Sequence, residues 1–171
     1  LILYLKSRSI PKTVYSGRVK EVHYSFKDNP EKVYYGAGWA NDEGGWEIRN
    51  QYHKYATSPK AITTVTNDGG TLNLFEGWIN YLSALAYFGV DRLEGTTIVL
   101  NGLGMYYKIK DTLLQYQKIN CFLDHGKGGD SVTDMIRAIV GVEKVHDHRY
   151  LWRDDEDLND MLIRTTKEKR Q

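Results

Sequence analysis

Thr71-Leu-Asn-Leu-Phe-Glu76-Gly77 and Ile119-Asn-Cys-Phe-Leu-Asp124-His-Gly-Lys-Gly-Gly129 are short apolar runs that each stop at a carboxylate, with glycine close behind. Apolar runs of this length bounded by turn residues read as buried strands. In a parallel sheet the carboxyl ends of neighbouring strands form the edge where ligands bind. The two stretches predict an α/β fold with acidic groups at its functional edge.

Downstream of the first stretch the pattern predicts a helix over Trp78 to Phe88, with Trp78, Leu82, Leu85 and Ala86 on one face and Gly89 as its stop. A strand over Thr96 to Leu100, a turn at Asn101-Gly-Leu-Gly104 and a helix over Met105 to Gln117 follow, with Ile109, Leu113 and Tyr116 aligned. After Leu123 a helix from about Asp130 to Val140 turns Val132, Met135, Ile136, Ile139 and Val140 inward, and Val142 to Val145 reads as a fourth strand. Strand, helix, strand with short connections implies right-handed crossovers and a parallel, doubly wound sheet covered on both faces. A helical piece through Asp160 to Ile163 and a basic tail, Lys167-Glu-Lys-Arg170, close the chain.

Upstream the character differs. Residues 2 to about 16 read as two short helices broken at Pro11, followed by strand-like Glu21 to Phe26 and Val33 to Trp39. Asn, Asp and a Gly pair between Trp39 and Trp46 have hairpin-loop composition, with Glu47 to Tyr52 as the returning strand. The expected division is a small, mostly antiparallel α+β subdomain at 1–66, the α/β domain at 67–163 and the basic tail at 164–171.

At 171 residues and 19.7 kDa, with 41% apolar and 26% charged residues and a mean hydropathy of −0.53, the composition is that of an ordinary folded chain. A net charge of +1 provides no whole-molecule field for nucleic acid, so phosphate binding must come from local patches or a bound cation. The single Cys121, inside an apolar run, excludes an intrachain disulfide and reads as a buried small hydrophobe. No apolar stretch reaches the roughly 20 residues of a membrane span and no signal peptide is apparent, so a reducing, cytoplasmic setting without membrane contact is expected. The opening on Leu1 suggests a piece of a longer protein.

Glu76 and Asp124 at neighbouring strand ends suit a hard cation such as Mg²⁺, which takes one or two carboxylates plus water and substrate phosphate. The alternative is that both cap the following helices. Gly102, Gly104, Gly126, Gly128 and Gly129 lie at strand-to-helix turns whose amides suit phosphate, with Lys127 among them, but they complete no phosphate-loop fingerprint. His125, His146 and His148 match no zinc signature. The acidic run Asp154 to Asp157 is most simply a solvated loop.

Leu74-Phe-Glu76-Gly77 with the helix behind it, Ile98-Val-Leu-Asn101-Gly102, and Phe122-Leu-Asp124 before Gly128-Gly129 together resemble the toprim domain of DnaG-type primases, topoisomerases and some nucleases. Asp157-Leu-Asn-Asp160 is similar to the acidic ending of primase-like proteins carried on bacterial plasmids and transposons. Tyr4-Leu-Lys-Ser-Arg-Ser-Ile10 and Gly44-Gly-Trp-Glu-Ile-Arg49 resemble their opening and their hairpin. The resemblance spans nearly the whole chain. It implies that Glu76 is a general acid or base and that Asp124 binds Mg²⁺, with Mn²⁺ as the substitute ion. Two positions depart from the family pattern. The second aspartate of the Asp-x-Asp pair is Gly126, and the acid of the first helix is Asn80. Asp130 and Asp147 are the candidate replacement ligands.

The resemblance further implies a primase-like replication protein that makes RNA primers on a DNA template from ribonucleotides, working beside a replicative helicase or other replication proteins. Arg8, Arg18, Lys20, Arg49 and Lys54 would hold template phosphates. The rival expectations are a catalytically silent toprim module that binds nucleic acid or a replication partner, and a toprim nuclease.

Overall fold

The computed structural model describes residues 1–169. Its first sheet is built from period-two strands: β1 (Val19–Phe26), β2 (Asn29–Ala40), β3 (Trp46–Arg49) and β4 (Lys54–Ala56), antiparallel and in the order β1-β2-β3-β4. Directly opposed residues share a face. The pairs Ala37 with Arg49 and Trp39 with Glu47 therefore line one face, and Val22, Tyr24, Tyr34, Ile48 and Tyr55 the other. The first face is the inner one, because Ala37 and Trp39 enter a core shared with Leu5 of α1 (Ile2–Ser7), Val14 of α2 (Lys12–Tyr15), and Trp78 and Tyr81.

The second sheet contains β5 (Thr63–Val65), β6 (Thr71–Phe75), β7 (Thr96–Val99), β8 (Lys118–Phe122) and β9 (Val145–Asp147) in the order β5-β7-β6-β8-β9. All its pairings are parallel except β5 with β7. The antiparallel edge strand was not foreseen, since Thr-Thr-Val is too short and polar to register as a strand alone. Strand alternation divides the core. Phe75, Val99 and Phe122 face the helices α3 (Trp78–Phe88) and α5 (Leu158–Glu168), whereas Leu74, Ile98 and Cys121 face α4 (Lys127–Val140) and the segment between β7 and β8. The expected α/β sheet with flanking helices, preceded by a mostly antiparallel unit, is thus present.

Local departures have physical causes. The helix expected over 105–117 is two 3-10 turns, Leu103–Lys108 and Lys110–Gln115, which still bury Ile109 and Leu113. Over so few turns, spacings of three and of 3.6 place the same residues inward. Val142 to Lys144 is a 3-10 turn after Gly141, whose φ of 93° ends α4, and the strand begins only at Val145. On α4 the stripe Val132, Ile136 and Val140 is buried, while Met135 and Ile139 are exposed because one row suffices to cover the sheet. Residues 164–168 of the expected tail continue α5, and residues 170–171 lie outside the described residues. Gly89, in the left-handed region at φ 68°, closes α3. Among the described residues no helix is long and apolar enough to cross a membrane.

Trp39 ties the first sheet to α3 and to the second sheet's edge strand. Trp39 lies parallel to Trp78 at 5.9 Å between ring centroids, and its Nε1 donates to Thr63 Oγ1 at 3.0 Å. Phe75 stacks on Phe122 at 4.6 Å. Because β6 and β8 are in register at that pair, the chain leaves both strands at one edge, delivering Glu76 and Asp124 to the same place.

Candidate active site

Glu76, Asp124 and Asp157 line one cleft of about 100 Å³, together with Asn80, Asn101, Tyr4, Arg8, Glu47, Arg49 and Lys54. Asp124 sits where α4 turns back on its own approach. A Cβ on Gly129 would stand 2.1 Å from the Asp124 carbonyl oxygen, so only glycine permits that first turn. Asn80 Nδ2, from α3, donates to Asp124 Oδ1 at 2.6 Å. Burial, reinforced by the negative charges of Glu76 and Asp157, pushes the Asp124 carboxyl up to about 7. Burial also raises Glu76, offset in part by the Asp124 backbone amide and by Lys54.

Asp157 arrives from the far end of the chain. Its carboxylate accepts the Asp160 backbone N–H at 2.9 Å and caps α5. Buried Asn159 next to it donates to Arg8 O and to Ser83 Oγ, both at 2.9 Å, and accepts from Arg8 Nη1 at 3.3 Å. One side chain thereby pins α5 to α1 and α3, and holds Asp157 and Arg8 at the cleft.

The opposite wall is cationic. Burial lowers the Arg49 guanidinium and the Lys54 ammonium from their ordinary ranges, and Arg49 Nε has no hydrogen-bond partner. Glu47, 3% exposed, lies beside this pair. Its Oε1 is 3.6 Å from Lys60 Nζ, too far for a hydrogen bond, and burial raises its carboxyl. Asn101, in the left-handed region at φ 59°, donates to Ala61 O and Thr63 Oγ1 at 3.0 Å each and leaves its Oδ1 unpaired.

Of the residues expected at the site, Glu76, Asp124, Arg8, Arg49 and Lys54 share the cleft. Asp130 and Asp147 do not line it. Arg149 holds both, donating from Nε to Asp147 Oδ1 at 3.0 Å, from Nη2 to Asp147 Oδ2 at 2.6 Å, and from Nη1 to Asp130. At Asp147, burial on its own would raise the carboxyl, but the Arg149 hydrogen bonds outweigh it and the net shift is downward. Arg18 is committed to Asp91, Oδ1 at 2.8 Å, and to Val14 O. Lys20 is exposed on the outer face of β1, and Lys127 is exposed at the start of α4. The histidines are dispersed: His125 meets Trp152 O, His148 stacks on Phe122, and His146 is exposed on β9. Burial raises the Cys121 thiol to about 12, which makes it inert.

Sequence reading overlooked Asp157, Glu47, Asn101 and Tyr4 as lining residues. Asp157 was hidden in an acidic run that resembles a solvated loop, and its only signal was the family-like Asp157 to Asp160 ending. Among the described residues no three His, Cys, Asp or Glu side chains converge as a ready-made metal cage, the cleft carboxylates included. The donor set nevertheless fits Mg²⁺, which needs only one or two carboxylates beside water and phosphate.

The family model described as Toprim-like matches residues 73–162, and one described as a domain of unknown function (DUF8464) matches residues 1–58. No curated protein matches the chain. Among solved structures, the primase fragment of the bacteriophage T7 primase-helicase protein superposes with a TM-score of 0.65 at 16% identity, over 96% of this chain and 70% of that one. A structure of the T7 lagging-strand DNA polymerase interacting with primase domains of two gp4 subunits, bound to an RNA/DNA hybrid and dTTP, matches with a TM-score of 0.54. Its identity is 13%, over 96% of this chain and 86% of that one.

Proposed function

This chain belongs to the Toprim-like family, and from that membership we propose that it is the nucleotidyl-transferring core of a DNA primase-like replication protein, making RNA primers on a DNA template. The observation that carries this reading is the cleft itself, where Glu76, Asp124 and Asp157 meet a wall of Arg8, Arg49 and Lys54. Phosphoryl transfer asks for little else than positioned groups and opposed charge around the phosphates. Mg²⁺, or Mn²⁺ in its place, would be held by Asp124 and Glu76 beside Asp157, and supplies neutralisation of charge on the phosphate under attack.

The chain's own residues supply the rest. Lys54 and Arg8 take the triphosphate of the incoming ribonucleotide, and Arg49, which also lines the adjoining groove, takes a template phosphate. As the primer 3′-oxygen bonds to the α-phosphorus and the bond to pyrophosphate breaks, the hydroxyl proton passes to Glu76, whose burial favours the protonated carboxyl that results. A cytoplasmic setting, with a replicative helicase as partner, goes with this role.

Primer synthesis on single-stranded template with ribonucleotides and Mg²⁺ tests the reading. Extension products are expected, reduced at least about 100-fold in Glu76→Gln and Asp124→Asn. Strand scission without extension would reassign the site to a nuclease. A second reading rests on Asn80, an amide bonded to Asp124 where the family has an acid. It makes the chain a nucleic-acid-binding module without catalysis, and the absence of both products would favour it.

A further inference from the structure

A second groove, of about 460 Å³, opens beside the cleft, and Tyr4 and Arg49 line both. Its other walls carry the rings of Tyr35 of β2 and of Tyr52 and His53 in the turn between β3 and β4, beside aliphatic Leu1, Leu3 and Val33. No carboxylate lines it, although four, Glu47, Glu76, Asp124 and Asp157, line its neighbour. Tyr35 is 62% and Tyr52 76% exposed, which leaves their ring faces open to a ligand.

Both rings stand on one rigid frame. Asn50 Oδ1 accepts the backbone N–H groups of Tyr52 and His53 at 2.9 and 2.8 Å. Its Nδ2 donates to Tyr35 O at 3.2 Å, which ties the turn to β2. Tyr35 and Tyr52 are thus tied through their backbones to one side chain, while most of each residue's surface stays open to solvent. Such rings offer flat surface at low ordering cost.

We propose that this groove is a base-stacking subsite for single-stranded DNA, in which successive bases lie on Tyr35 and Tyr52 while Arg49 carries the backbone phosphate between groove and cleft. Aromatic platforms with a cationic backbone contact and no acidic lining are the chemistry of strand binding that tolerates any sequence. An apolar peptide would leave the Tyr hydroxyls and the Arg49 charge unmatched. That the bound strand is a template rests on the primase-like reading above; that a strand binds here does not.

The full chain is titrated into fluorescein-labelled oligo-dT of about 20 nucleotides at fixed salt, followed by anisotropy. Tyr35→Ala and Tyr52→Ala are each expected to weaken binding roughly tenfold, with Tyr→Phe at either position retaining it and melting temperatures unchanged. An abasic strand of equal length should bind more weakly, and Tyr87→Ala, an exposed aromatic on α3 outside the groove, should bind as the parent does. Equal binding of abasic and oligo-dT strands, or parental affinity in both Ala variants, overturns the subsite and leaves the groove to a protein partner. Glu76→Gln separates the two readings. Loss of extension with Tyr-dependent binding intact supports both; Tyr-dependent binding without extension in any form removes catalysis and keeps the subsite.

Discussion

At the scale of single residues, the cleft is set by the cost of burying a carboxylate, with its acidic neighbours adding to it. Asp124 is raised from 3.8 to about 7 chiefly by burial, then by Glu76 and Asp157. Between those values the folded chain holds a proton that the unfolded chain has lost, so this group's contribution to stability falls as pH rises through the window. Asp124→Asn should therefore raise the melting temperature of the metal-free protein at pH 8 by about 2–4 °C, roughly 1 kcal/mol for a chain of this size, and by much less at pH 4. A lower melting temperature at pH 8 would contradict the assignment. Mg²⁺ should bind more tightly as pH rises through about 7, because the ligand must first lose its proton. Gly126 introduces a further constraint. At φ 108° it occupies backbone that side chains avoid. Restoring the family aspartate there, Gly126→Asp, should cost about 1–3 kcal/mol in urea unfolding before any gain in metal binding. Asn80→Asp adds a charge without that strain. Its expected signature is a larger Mg²⁺-induced rise in melting temperature than the parent shows.

At the scale of elements, α5 turns a terminal acidic run into part of the site. Asp157 both caps the helix and faces the cleft, and two variants separate these roles. Asp157→Ser keeps a capping oxygen and removes the charge, whereas Asp157→Ala loses both and should be about 1 kcal/mol less stable than the Ser form by thermal melts. If Ser and Ala melt alike, the cap is not what holds α5. The sequence made α3 legible to its ends because its apolar face, Trp78 start and Gly89 stop agree. It misjudged the segment between β7 and β8 because two turns of apolar spacing fit either helix type. It suggested Asp147 as a ligand from its strand-end position alone, while the nearby arginine that engages it, Arg149, carries no such positional signal.

At the scale of the whole molecule, the antiparallel unit and the α/β unit share one core. Leu5, Val14 and Trp39 are buried with Trp78, Tyr81 and Leu82. Neither can lose its packing without exposing the other, so urea unfolding should show one transition by both tryptophan fluorescence and far-UV circular dichroism. Leu5→Ala, at a fully buried position, should lower stability by about 2–5 kcal/mol and shift both signals together. Two separated transitions would show the units to be independent.

By itself the sequence determined the α/β class, the antiparallel front and the strand ends at Glu76 and Asp124. These are encoded in local periodicity and in turn residues that act within a few positions. The tertiary structure alone decided that Asp157 completes the acidic group, that Arg8, Arg49 and Lys54 face it, and that Asp130 and Asp147 are withdrawn by Arg149. Each of those outcomes depends on burial and charge between residues far apart in the chain or on neighbouring elements, and no local pattern records what packing brings together.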